Sequence, residues 1–315
     1  MAKQRKRKGN PVHGWLAVDK TNDVTSTKVV SILKRLYNAQ KAGHGGTLDP
    51  LADGILPIAF GEATKTAQWA MDCDKEYIFT IEWGTSTDSQ DKEGAVIATS
   101  DIRPTRAQVE AILPTFIGDI QQVPPKYSAI KIDGERAYDL ARDGEAFEIP
   151  SREVTVYETE ILDTPDADHC VIKVVSGKGF YVRAMARDIA AAVGAEGHVS
   201  QLRRTRVGPM DEASAFTVAA LEALAEAEDT DALFAALTPL ETVLDDIAQV
   251  EIDAGDAANI KQGREILLMP HVVEAWRDAR ADDEDRLALT MCDGLAVALG
   301  EVRAGRFQPS KVFQL

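Results

Sequence analysis

Along the first two hundred residues, apolar positions repeat at two periods, and the period changes several times. Val29, Val30, Leu33 and Leu36 recur at helical spacing behind Thr25 and Ser26, either of which can cap a helix there. A short apolar run, Ile55–Phe60, reads as a strand. A helix is predicted from about Glu62 to Met71, leading into a strand at Glu76–Trp83. In that strand Tyr77, Phe79, Ile81 and Trp83 alternate with Ile78, Thr80 and Glu82, so the aromatic positions share one face. Asp133-Gly134 predicts a hairpin turn, followed by a short helix ending near Gly144. Strands are predicted at Glu153–Leu162, Cys170–Ser176 and near Val199–Val207, with a helix from about Val182 to Val193 stopping at Gly194.

Strands and helices therefore mix without a regular βαβ repeat. The pattern predicts an α+β fold around a mixed, largely antiparallel sheet. Val218–Glu228 is an Ala- and Glu-rich helix that reads as a connector, and the composition changes near Val243–Val250. Beyond it, a short helix and strands at Glu265–Met269, Leu287–Met291, Leu295–Gly300 and Lys311–Gln314 predict a small β domain. The expected organisation is a basic arm over 1–12, disordered, a main domain over 13–240 and the β domain over 241–315.

Composition narrows the function classes. The chain has 315 residues, enough for one large domain and a smaller one, and its 27% charged content is that of a soluble globular protein. No apolar run has the length of a membrane span, and the five basic residues of Met1–Lys8 precede no apolar signal core. Three scattered cysteines, with no C-x-x-C pair, predict neither disulfides nor a cysteine zinc site, so a reducing cytoplasm is the expected compartment. The five histidines lack metal-ligand spacing, and no metal or cofactor is expected. Nor is there a P-loop, a Rossmann fingerprint, a nucleophile elbow or a kinase motif set.

The net charge of −16 argues at first against a polyanionic partner. Its distribution changes that picture. Residues 1–210 hold 27 Lys and Arg against 29 Asp and Glu, whereas residues 211–315 hold 8 against 22. Between Val171 and Pro209 the balance is 7 basic to 2 acidic. Local basic patches of this kind permit nucleic-acid binding at a low overall pI.

The densest candidate chemistry lies in Gly43-His44-Gly45-Gly46-Thr47-Leu48-Asp49-Pro50-Leu51-Ala52-Asp53-Gly54. Pro50 biases Asp49 to extended geometry, so a carboxylate is presented on a shaped, glycine-rich loop. The same composition describes an ordinary turn, and spacing does not choose between Asp49 and Asp53. His44 reads either as a general base or as an exposed loop residue. Tyr77 reads first as a core tyrosine. Gly177-Lys178-Gly179 joins a strand to a helix, where backbone N–H groups and Lys178 can hold a phosphate. Leu202-Arg203-Arg204-Thr205-Arg206 reads as a phosphate track or as a protective basic edge.

Taken together and in order, these segments resemble the TruB-type tRNA pseudouridine-55 synthases. Gly43-His44-x-Gly46-x-Leu48-Asp49-Pro50-x-Ala52-x-Gly54 is similar to that family's catalytic loop. Pro124-Pro125-Lys126-Tyr127-Ser128-Ala129-Ile130-Lys131, with Gly134, Arg136, Tyr138, Ala141-Arg142 and Gly144, resembles a second signature. Gly179-Phe180-Tyr181-Val182-Arg183 and Leu202-Arg203-Arg204 resemble a third and a fourth. The resemblance covers roughly Trp15 to Gly208. It implies the pseudouridine-synthase fold and an isomerase that flips the T-loop uridine of tRNA out of its loop.

By resemblance Asp49, not Asp53, is the nucleophile, attacking base C6 or ribose C1′. Arg183 is its partner, and Tyr77 stacks on the flipped uracil near the proton lost from C5. His44 fills the vacated space in the T-loop, Tyr181 and Leu202 wall the pocket, and Lys20 contacts substrate; Lys178 and Arg203 are expected to contact its phosphates on the local reading above. Lys20 opens Lys20-Thr21-Asn22-Asp23-Val24-Thr25-Ser26, which lacks the Pro and Gly of the family's Lys-Pro-x-Gly-x-Thr-Ser. The C-terminal segment resembles the small RNA-binding PUA-like barrels around Gly263-Arg264-Glu265 and Leu295–Val302. The implied partner is tRNA, with no membrane and no obligate protein partner. A tRNA-folding factor and a synthase acting on ribosomal RNA are the competing readings.

Overall fold

The computed structural model describes residues 9–128, 130–132, 135–137, 140, 147–280 and 286–315. Asp133-Gly134, Gly144 and most of the basic arm lie outside the described residues, as do Tyr138, Ala141 and Arg142 of the second signature. Asn10 N–H donates to Asn38 O at 2.6 Å, and Val12 is buried in the main core.

The Ser26–Leu36 helix starts as its sequence dictates, with Thr25 as N-cap accepting from Lys28 N–H. The aromatic strand runs Lys75–Trp83, with Phe79, Ile81 and Trp83 buried and Tyr77 half-buried against the same core. The later strands run Arg152–Asp163, His169–Ser176 and Gly197–Val207, and the helix between the last two runs Val182–Ala192.

These strands join a mixed ten-stranded sheet. Its backbone order is Phe216–Thr217, Gly14–Lys20, Asp53–Phe60, Gly197–Val207, Lys75–Trp83, His169–Ser176, Arg152–Asp163 and Gly118–Gln122. Most neighbours are antiparallel. The exceptions are Gly14–Lys20 with Phe216–Thr217, and Asp53–Phe60 with Gly197–Val207. The second parallel pairing sets Asp53 beside Arg203 and Gly54 beside Arg204, which joins the glycine-rich loop to the fourth signature.

Three expectations change in the structure. The Glu62–Met71 helix is a 3-10 turn, Gly61–Thr66, followed by a short helix, Ala67–Asp72. The Glu265–Met269 strand shrinks to Ile266–Leu267, because Pro270 starts a helix, Pro270–Ala279, through its preset φ. The last strand lies earlier, at Arg306–Val312 rather than Lys311–Gln314. A strand at Gly14–Lys20 was not expected. Six of its seven residues are buried, so it shows no alternation.

The C-terminal segment forms a separate five-stranded sheet. It packs on the large sheet through a second core, in which Trp15, Ala17, Ile55 and Ala59 meet Leu240, Leu244, Leu289 and Phe313. One face of the strand leading out of the Asp49 loop is thereby covered.

Candidate active site

The Asp49 loop lies between strands Ala42–His44 and Asp53–Phe60, and its backbone is pinned from several directions. Leu48, Leu51 and Ala52 are buried beneath it. Ser26, the first helical residue, donates its Oγ hydrogen to Leu48 O and accepts from Leu48 N–H, both at 2.9 Å. Lys20 is fully buried, and its Nζ donates to Thr21 O and Val24 O at 2.9 Å and to Pro50 O at 3.3 Å. Burial lowers the Lys20 pKa, and the nearby Asp53 and Asp49 carboxylates oppose that shift. Arg204, also buried, donates to Ile55 O at 2.7 Å, Gly46 O at 3.2 Å and Thr47 O at 3.4 Å. Two buried cations thus hold the carbonyls on both sides of Asp49.

Two glycines permit this closeness. A Cβ on Gly45 would lie 2.5 Å from Ala70 Cβ and 3.1 Å from the Trp15 ring. Gly54 has φ +100°, and its Cβ would lie 2.2 Å from Arg204 O. Gly54→Ala is expected to cost at least about 2 kcal/mol, through backbone strain and displacement of the Arg204 strand. Thermal unfolding checks this: a drop of several degrees is expected, with reduced turnover because the loop shifts.

The Asp49 carboxylate is left partly exposed, at 36%, and meets Arg183 Nη2 at 2.8 Å. Arg183 is the second residue of the Val182–Ala192 helix and is 5% exposed. Its Nη1 also pairs with Asp91 Oδ2 at 3.2 Å and donates to Ser89 O at 3.0 Å, while Nη2 donates to Tyr127 O at 2.9 Å. Asp91 is itself buried, and its Oδ1 accepts from Ser89 Oγ at 2.6 Å and Glu93 N–H at 3.0 Å. One guanidinium therefore spans two carboxylates, one fully enclosed and one opening outward. A fork held at this many points fixes where its last partner sits.

Tyr181 immediately precedes the helix. Its backbone is clamped by Gln122, which donates to Tyr181 O at 3.1 Å and accepts from Tyr181 N–H at 2.8 Å. Burial raises the pKa of its phenol; among the nearby charges, Arg152 lowers it and Asp49 raises it. Asp49 pairs with Arg183, and Tyr181 stands two residues before that arginine in the chain. Tyr77 is cross-strand from Arg204, the residue that holds the loop carbonyls. Leu202 is buried opposite Phe79, two pairs further along.

His44 is half-buried on its short strand, and its Nδ1 is buried with no hydrogen-bond partner among the described residues. Burial lowers the His44 pKa below its ordinary value, with Arg204 adding to the shift. The unfolded chain then takes up the His44 proton first as pH falls, so acidification through about pH 6.5 draws on folding stability. Wild type is expected to lose more thermal stability than His44→Gln between about pH 7.5 and pH 5, and equal losses would contradict this.

The three cations expected to contact substrate, Lys20, Lys178 and Arg203, are engaged within the fold, Lys20 being fully buried against the three carbonyls above. Asp53 and Arg203 pair with each other at 2.9 Å, and Arg203 also reaches Asp19 at 2.9 Å and Glu212 at 2.6 Å. Lys178 is exposed and lies 3.4 Å from Asp72. The two aspartates of the loop are about equally exposed, and what separates them is the partner: Asp49 pairs with the buried Arg183, and Asp53 with the partly exposed Arg203 of the neighbouring strand. Sequence reasoning missed Asp91, Ser89, Gln122 and the anchoring role of Arg204. Asp88-Ser89-Gln90-Asp91 has the composition of a solvated turn, so nothing in it marks a buried carboxylate. Among the described residues no cluster of His, Cys, Asp and Glu has the geometry to hold a metal ion, and no helix is long and apolar enough to cross a membrane.

Comparison with known proteins fits this arrangement. The family model described as TruB family pseudouridylate synthase, N-terminal domain, matches residues 34–182. That of the tRNA pseudouridylate synthase B C-terminal domain matches residues 183–245. The chain is 54% identical over 312 residues to tRNA pseudouridine synthase B of Caulobacter vibrioides, covering 99% of both chains. It is 48% identical over 317 residues to the protein of the same name from Rhizobium johnstonii, covering 99% of this chain and 100% of that one. Among solved structures, it resembles a chain of a Cbf5-Nop10-Gar1 complex with TM-score 0.71 and 25% identity, over 96% of this chain and 85% of that one. With two family models matching 34–245 in succession and relatives about half identical over the whole chain, this chain belongs to the TruB family of pseudouridylate synthases.

Proposed function

We propose that this chain converts the T-loop uridine of tRNA, uridine 55, to pseudouridine, with Asp49 as nucleophile. The observation that carries the reading is the 2.8 Å pair between Arg183 and a partly exposed Asp49, on a backbone fixed by Lys20, Ser26 and Arg204. A carboxylate that is oriented yet open on one side is what a covalent step on an incoming base requires. The names of the full-length relatives support tRNA as the substrate.

The reaction is an isomerisation. The target base is flipped from its loop, at a cost on the order of a few kcal/mol. Asp49 attacks C6 of the base or C1′ of the ribose, and the N1–C1′ bond breaks. The freed uracil turns and rejoins through C5, which loses a proton, while N1 gains one. No atom or electron is supplied from outside. Arg183 keeps the carboxylate in line during attack and release. Tyr77 stacks on the uracil beside the C5 proton, and Tyr181 and Leu202 limit where the free base can turn. His44, whose pKa burial lowers and whose Nδ1 has no partner among the described residues, supplies stacking and a hydrogen bond in the space the base has left.

Incubation with tRNA and with ribosomal RNA, each mapped for pseudouridine by chemical labelling, tests the substrate. Product at the T-loop uridine alone is expected. Product confined to ribosomal RNA would overturn the assignment.

A further inference from the structure

A uridine drawn against Asp49 brings its two flanking phosphates with it, and their charge needs a partner. The cations nearest Asp49 are committed to the fold. Arg183 serves two carboxylates and two carbonyls. Arg204 and Lys20 each serve three carbonyls, and Arg203 serves three carboxylates.

Arg152 differs. It opens the Arg152–Asp163 strand, and its Cζ lies 6.0 Å from the centroid of the Tyr181 ring. Among the described residues, no carboxylate lies within ion-pair distance of its guanidinium, which donates no hydrogen bond to them. Its place is nevertheless fixed. Arg152 is cross-strand from Gln122, the buried side chain that clamps Tyr181 on both backbone groups. Beside it the chain turns through Gly179, where even a Cβ would lie 3.8 Å from Arg152 Nη1. Arg152 is half-buried there, so part of its side chain stays open to solvent. Tyr181 stands two residues before Arg183, whose Nη2 holds Asp49, so the cation over its ring is on the same side of the fold as the support of the nucleophile.

We propose that Arg152 is a phosphate-binding residue of the substrate site, its guanidinium taking the non-bridging oxygens of one phosphodiester that flanks the target uridine. The planar fork suits a phosphate, and the Tyr181 ring 6.0 Å away borders it on one side. The inference rests on the pseudouridine-synthase reading above and adds to it the group that holds the sugar–phosphate while the base is detached.

The test uses T-arm stem-loop RNA with a neutral methylphosphonate at the linkage 5′ or 3′ to the target uridine, beside unmodified RNA. Dissociation constants and turnover are measured for wild type, Arg152→Met and Arg152→Lys. For wild type, one of the two neutral linkages is expected to weaken binding by roughly tenfold, the size of one charge-assisted contact. Arg152→Met is expected to bind unmodified RNA about that much more weakly and to be indifferent to the neutral linkage, with kcat near wild type. The slope of log affinity against log salt falls by about one. Arg152→Lys restores part of the affinity and the sensitivity, which a mere prop for the Tyr181 ring would not. Equal sensitivity of wild type and Arg152→Met to both linkages would overturn the proposal, as would a fall in kcat with unchanged binding. Wild-type product on unmodified RNA reports the underlying activity, so failure of that reading shows separately.

Discussion

Asp49→Asn is expected to bring pseudouridine formation below detection, a loss of at least about 10⁴-fold, while tRNA binding stays close to wild type. The substitution keeps the side chain's shape and one oxygen that can still accept from Arg183 Nη2, now 2.8 Å away. It removes the charge and nucleophilicity of the carboxylate. Folding should change little. The residue is partly exposed, and its loop is held by Leu48, Leu51 and Ala52 below and by Ser26, Lys20 and Arg204 through backbone atoms. Loss of turnover with retained binding and an unchanged unfolding temperature therefore reports the chemical step. Full activity in this variant would remove Asp49 from the mechanism.

Arg183→Met is expected to be damaging twice. Turnover should fall on the order of 10³-fold, because Asp49 loses the partner that aims it. Stability should fall by about 3–5 kcal/mol, because Asp91 is 3% exposed and is left with a buried charge and no cation. Ser89 O and Tyr127 O each lose the hydrogen bond from Arg183 as well. Arg183→Lys should recover little of either, since one ammonium cannot span both carboxylates as the fork does. Thermal unfolding and single-turnover kinetics below the lowered transition temperature separate the two losses. A folded Arg183→Met variant with near-normal turnover would place Arg183 outside the active site.

The fold was legible wherever one face of an element is wet. The Ser26–Leu36 helix and the Lys75–Trp83 strand keep their periods because only one side of each is fully buried. Gly14–Lys20 carries no period because it is covered on both faces, by the main core and by the C-terminal segment. Of the site, residues on glycine-marked segments could be found: Asp49, Arg183 and Tyr181. Their supports could not. Asp91 lies 92 residues from Arg183 in sequence, and Gln122 lies 59 from Tyr181, and each looks like a polar loop or strand residue until the sheet brings it in. Charge was the least transferable signal. Arg203 reads as phosphate-binding from its basic neighbours, yet the register that sets it against Asp53 gives it to three carboxylates.

The most direct test of the account is pseudouridine mapping of one tRNA preparation incubated with wild type and, in parallel, with Asp49→Asn at a concentration where both are shown to bind. The account predicts a single new pseudouridine, at the T-loop uridine, with wild type and none with the variant. Product at that position from the Asp49→Asn protein, or none from wild type, would contradict it.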